Sequence, residues 1–144
     1  MKWKISLFAL CLAAPAWAAV DTTMPPGGVF GLKPGIYAPK GASCSKAAPA
    51  SVKVYDGKAL YTPPSRVCIA RVTSKDGSRH TITQSCLNKD TGTRSQQTYI
   101  VRTTDALNFS LRTDAGVVSY SYCPAYDLPS SLEGLDPNTE KTSQ

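Results

Sequence analysis

Chemistry at neutral pH needs a proton carrier, a nucleophile or a paired charge, and this sequence offers few of them. His80 is its one histidine, the residue type whose ordinary pKa lies closest to neutrality. A catalytic histidine works beside a nucleophile and an orienting acid, yet no Gly-x-Ser-x-Gly elbow is present to supply a serine. Paired carboxylates of the kind that hydrolyse glycosides are also missing. Glu133 and Glu140 are the only glutamates, both close to the C-terminus. Asp56, Asp76, Asp90, Asp105 and Asp114 fall in turn sequences, where an aspartate bonds its own backbone. Zinc would require closely spaced ligand pairs, and a lone histidine with no Cys-x-x-Cys does not provide them. The sequence therefore predicts no catalytic residue, no metal and no cofactor, and His80 is read as structural.

The cysteines point elsewhere. Lys2 and Lys4, the apolar stretch Ile5 to Ala14 and the Ala16-Trp17-Ala18 motif have the order of a secretory signal peptide. Cleavage is expected after Ala18, which places the protein in the periplasm or outside the cell. The apolar stretch, roughly ten residues, is too short to span a bilayer, and no second one follows, so no transmembrane segment is expected. Cys11 raises a lipoprotein alternative, but Leu10 precedes it where a small residue is usual. Loss of Lys2 and Lys4 lowers the net charge from +6 to a mildly basic value, too weak for nucleic-acid binding. Cys44, Cys68, Cys86 and Cys123 remain, an even set that in an oxidising compartment implies two disulfides. Of the three possible connectivities, Cys44–Cys68 with Cys86–Cys123 is expected, the first bond tying the loop before Ser51 across the Tyr55–Tyr61 hairpin.

These residues must be held by β-structure. Between residues 35 and 123, runs rich in Val, Ile, Thr and Tyr alternate with turn signals. Strands are expected at Gly35–Ala38, Ser51–Tyr55, Lys58–Thr62, Val67–Ser74, Arg79–Leu87, Thr93–Thr104, Leu107–Thr113 and Val117–Cys123. Asp56-Gly57 and Asp76-Gly77 mark hairpins, Pro63-Pro64 stops a strand, and Val52 and Val54 share one face of theirs. His80, Ile82, Gln84 and Cys86 share a face, as do Leu107, Phe109 and Leu111. Short turns force antiparallel neighbours. The expected fold is all-β: a small antiparallel up-and-down meander of about eight strands, closed into a barrel to remove its edges, with a two-sheet β-sandwich as the alternative. Residues 19–34 read as a flexible Pro/Gly-rich arm and residues 124–144 as a polar tail. In the tail, Ser130 and Glu133 have capping-box spacing for a short helix. With both tryptophans in the leader, the tyrosines must fill the core, Tyr120 and Tyr122 among them.

In outline the architecture resembles small bacterial β-barrel inhibitors, such as the periplasmic inhibitors of c-type lysozyme and of secreted metalloproteases. Signal, size, disulfides and strand number carry the resemblance. The Ser-Gly-x-x-Tyr loop of the lysozyme inhibitors is absent, the nearest stretch being Ala115–Tyr120, so no site residue is carried over. What the resemblance implies is an exported binding protein, an inhibitor of an exported enzyme being one form. A small-ligand carrier with a barrel cavity is the alternative. The partner-facing residues expected are Lys75, Arg79, Lys89 and Arg94, loop cations suited to an acidic exported protein. The leader reading makes a direct prediction: the intact mass of exported protein should correspond to a chain beginning at Ala19 with no lipid. A diacylated Cys11 at the N-terminus would refute it.

Overall fold

The computed structural model describes residues 26–139. The leader Met1–Ala18, its cleavage site and Cys11 lie outside the described residues. Every strand expected from the alternating pattern is present: β1 Gly35–Pro39, β2 Lys53–Tyr55, β3 Leu60–Tyr61, β4 Ser65–Asp76, β5 Arg79–Asn88, β6 Arg94–Asp105, β7 Asn108–Thr113 and β8 Gly116–Cys123. They form one antiparallel sheet in the order β3-β2-β1-β8-β7-β6-β5-β4. The sheet is a nearly closed barrel, but its opening is not at the chain's ends. First and last strands are stitched together, Ile36 facing Cys123 and Pro39 facing Tyr120. The seam lies between β3 and β4, where Pro63 and Pro64 interrupt the chain and supply no N–H to a ladder.

One link departs from the expected short turns. Residues 40–52, between β1 and β2, contain two 3-10 turns, Cys44–Lys46 and Pro49–Ser51. This segment packs back on the barrel's outer wall. Ala47 and Val52 join Ile36, Val54, Leu128 and Leu132 in an apolar cluster outside the sheet. Strand β1 is thereby buried on both faces, its Ile36 outward and its Tyr37 inward. The tail contributes α1, Ser130–Glu133, which buries Leu132. Its position matches the expected helix, but Pro129 occupies the N-cap and no side-chain cap bond forms, so the capping box is not made.

Inside the barrel the core is aromatic. Phe109 stacks on Tyr120 and meets Tyr37 edge-on, both at 5.2 Å between ring centres. Tyr99, Ile82, Val101 and Leu111 complete the filling. Leu107 is not part of it: β7 begins at Asn108, and Leu107 sits exposed in the preceding turn. One end of the barrel is stoppered by the segment before β1, which buries Phe30 and Leu32. Tyr55 holds the stopper in place: its hydroxyl accepts the Phe30 N–H at 3.2 Å and donates to the Gly27 carbonyl at 2.8 Å. Gly28 makes this approach possible. A Cβ there would collide with the Gly57 carbonyl and the Tyr55 hydroxyl, and its φ of +69° suits glycine.

Two disulfides form, but not in the expected pairing. Cys44 bonds Cys123 and Cys68 bonds Cys86, replacing Cys44–Cys68 and Cys86–Cys123. The reason is topological. Because β8 lies beside β1, the loop leaving β1 brings Cys44 to the end of β8. Because β4 lies beside β5, Cys68 meets Cys86 across the hairpin, helped by a one-residue bulge between Arg66 and Ile69. Val67, in that bulge, has a φ of +47°, a costly conformation for a β-branched residue. The bonds close spans of 79 and 18 residues. On loop-closure entropy they should contribute about 4.5 and about 3 kcal/mol respectively. Denaturant unfolding should therefore show a larger loss for the Cys44→Ala/Cys123→Ala pair than for Cys68→Ala/Cys86→Ala. The reverse ranking would mean that native-state packing, not chain closure, sets their value.

Candidate functional site

Strand β5 carries Arg79, His80 and Cys86, and its two faces separate them. Inward lie His80, Ile82, Gln84 and Cys86; Arg79, Thr81, Thr83 and Ser85 point outward. His80 is buried with its ring edge-on to Phe30 at 5.6 Å, and its Nδ1 has no hydrogen-bond partner. No nucleophile or acid pairs with it among the described residues. Two of the turn aspartates are occupied by their turns. Asp56 Oδ1 accepts the N–H groups of Lys58 and Ala59, each at 2.9 Å. Asp105 accepts from the Asn108 amide and the Leu107 N–H, bonds that hold its carboxyl below the ordinary range. Among the described residues no group of His, Cys, Asp or Glu is arranged to hold a metal ion.

The four expected cations do not form one patch. Lys75 and Arg79 flank the β4–β5 turn at the stoppered end, whereas Lys89 and Arg94 flank the β5–β6 turn at the other. The ten residues of β5 between them span about 30 Å. What the register assembles instead is a group that sequence reading missed. Arg79 lies directly opposite Arg102, and Arg102 opposite Ser110; one step along, Ile100 lies opposite Arg112 and Arg112 opposite Val117. Arg79, Arg102 and Arg112 thus border one shallow depression on the outer wall, with Ile100 and Val117 as its apolar floor and rim. Asp76 lies across the hairpin from Arg79, yet none of the three arginines forms an ion pair or side-chain hydrogen bond among the described residues. A signal was available in the sequence. A turn centred on Asp90 and Thr91 fixes Arg79 opposite Arg102.

A second feature is at the barrel's open end, away from the Phe30 stopper. A recess of about 100 Å³ enters the lumen there, lined by Lys53, Gln84, Ser95, Gln97, Tyr99 and Thr113 among others. Its floor is a closed polar chain. The Tyr99 hydroxyl donates to Gln84 Oε1 at 2.6 Å, and Gln84 Nε2 donates to the Leu60 carbonyl at 2.6 Å. Both are buried, so each bond is made where an unmade one would cost about 1–3 kcal/mol. Lys53 was not singled out in the sequence.

No protein-family model, curated protein or solved structure matches this chain. Its class therefore rests on its own geometry: a small disulfide-bonded β protein built as a nearly closed eight-stranded barrel. The disulfides are consistent with an extracellular or periplasmic location. No helix of the described residues is long and apolar enough to cross a membrane.

The tyrosine-lined interior gives a pH prediction. Burial pushes the phenols of Tyr37 and Tyr99 well above their ordinary value of 10.0, and those of Tyr55 and Tyr120 up as well. Below about pH 10 these groups are neutral whether the chain is folded or not, and the stability they contribute is intact. Above it Tyr37 and Tyr99 ionise first in the unfolded chain, so stability is lost as pH rises toward their folded pKa values, by up to about 1.4 kcal/mol per pH unit for each of these two. Denaturant midpoints should hold up to about pH 10 and then fall, with tyrosinate absorbance lagging until unfolding. Full tyrosine ionisation in the folded protein would contradict the packing described.

Proposed function

We propose that this chain is an exported binding protein that docks an acidic partner protein on the outer wall of β5, β6 and β7. The observation that carries this reading is the arginine group Arg79, Arg102 and Arg112, unpaired and set around Ile100 and Val117. Arginine is enriched at protein interfaces, whose buried centres are more apolar than the rest of the surface. Arg79 is retained from the expected set; Arg102 and Arg112 extend it along the wall. Lys75 adds charge at the same end, while Lys89 and Arg94 would meet a partner only by a second contact. An exported enzyme with an acidic surface, inhibited by this docking, is the partner that the architecture favours. The carrier alternative has less support. Aromatic side chains fill the lumen, and the remaining recess is about 100 Å³ against the roughly 300–1,000 Å³ of pockets for drug-sized ligands.

The test uses immobilised mature protein and an extract of exported proteins, followed by kinetics with the captured partner. Replacing Arg79, Arg102 and Arg112 together by Gln should slow association about tenfold or more and flatten its salt dependence. Lys89→Gln with Arg94→Gln should change little, and so should His80→Ala in refolded, disulfide-intact protein. A partner that binds the arginine variant as fast as the wild type, or is lost on His80→Ala alone, would overturn the proposal.

A further inference from the structure

We propose that the recess at the open end of the barrel is a binding site for a small carboxylate, held by the ammonium of Lys53. This inference is independent of the outer arginine wall. It starts from the pleat of β2. Lys53 faces Tyr37 across the β1–β2 ladder, and Tyr55, two residues on, is in the interior core. The Lys53 side chain therefore enters the lumen rather than the solvent. A lysine in a barrel interior is expensive unless something compensates its charge.

Nothing within the described chain does so. The Lys53 Nζ donates one hydrogen bond, to Thr62 Oγ1 at 2.7 Å, and an ammonium has three to give. No Asp or Glu is among the residues lining the recess. The surrounding side chains are neutral and polar: Ser65, Ser95, Gln97 and Thr113 all reach the same space. Desolvation lowers the Lys53 pKa, as expected of a cation with no anion nearby. One positive charge in a ring of hydroxyl and amide donors is complementary to a monoanion with several acceptor oxygens. A phosphate dianion would bring a second charge that no other cation lining the recess could balance. The volume of about 100 Å³ takes a group of a few heavy atoms, which fits a carboxylate and excludes a large ligand. That carboxylate belongs either to a free small acid or to the end of a peptide, and the chemistry at Lys53 is the same.

The experiment is an NMR titration of the full mature protein. Sodium acetate is compared with sodium chloride at equal ionic strength, and a short peptide with a free C-terminal carboxylate with its C-terminal amide. Acetate and the free-carboxylate peptide should saturably shift the backbone amides of Lys53, Thr62 and Gln97, with no such shift from chloride or the amide. A tighter affinity for the peptide than for acetate would identify a chain terminus as the source; the opposite would identify a free acid. Lys53→Met should weaken binding at least tenfold while the remaining spectrum stays native. Gln97→Glu, at an exposed position, offers an internal counterion and should also abolish acetate binding, which keeps the test open if Lys53→Met fails to fold. Equal shifts from chloride, unchanged binding in either variant, or no saturable shift with acetate would overturn the proposal.

Discussion

The ladder between β1 and β8, four residue pairs long, is what makes one barrel out of two meanders. Strands β4 to β8 follow one another through short turns, and β1 to β3 form a smaller sheet of their own. Without the pairing of Ile36–Pro39 with Tyr120–Cys123 the two would share no strand ladder. The Cys44–Cys123 bond reinforces this join. It links the loop leaving β1 to the last residue of β8. The same join explains the double burial of β1, since a strand in the middle of the sheet order can take cover on both faces. Residues 40–52 and the segment after β8 supply the outer cover, with Leu128 and Leu132 under it.

Strands were legible in the sequence because period-2 alternation and turn dipeptides are local signals. The strand expected at Arg79–Leu87 after Asp76-Gly77 is observed at Arg79–Asn88. What was not legible depended on which strands become neighbours. The disulfide pairing was misassigned because it follows the β1–β8 contact, which no local pattern announces. Strand β2 shows a second limit. Val52 and Val54 share one face as expected, and both are buried, against the outer cluster. The lumen face carries Lys53 and Tyr55. When both faces of a strand are covered, alternation gives no indication of which one is interior. The inward lysine was hidden for that reason.

The two ends of the barrel differ in chemistry because the chain treats them differently. At one, Phe30 and Leu32 are driven in by burial, and Tyr55 and Tyr37 secure the entering backbone through their hydroxyls. Tyr37 donates to the Lys33 carbonyl at 2.6 Å. At the other end the described chain leaves a recess lined by Lys53, Thr62, Ser65 and their neighbours. There the lumen residues change from core to polar, from Tyr99 and Leu111 to Gln97, Ser95 and Thr113. A sequence selected only for stability would gain by continuing the apolar filling to that rim. The placement of an unpaired ammonium in this polar mouth is thus a departure from stability, and such departures collect at binding sites.

The outer wall shows the same economy in a different form. Like charges directly opposite on neighbouring strands are destabilising, where an opposite-charge pair would contribute roughly 0.2–1 kcal/mol. Arg79 and Arg102 are such a pair, and Arg112 is near them on β7. The chain does not relieve the repulsion with the nearest acid, since Asp76 forms no ion pair with Arg79. On an isolated barrel this arrangement only costs stability. An anionic surface set against the wall removes the cost and adds charge-assisted hydrogen bonds. In the proposed complex, free and bound states would then differ by more than the new contacts alone, because the repulsion present in the free protein would be relieved. Long-range attraction from the same three charges would speed the encounter. The half-buried Ile100 and the exposed Val117 between them provide the short-range apolar contact that charge by itself does not.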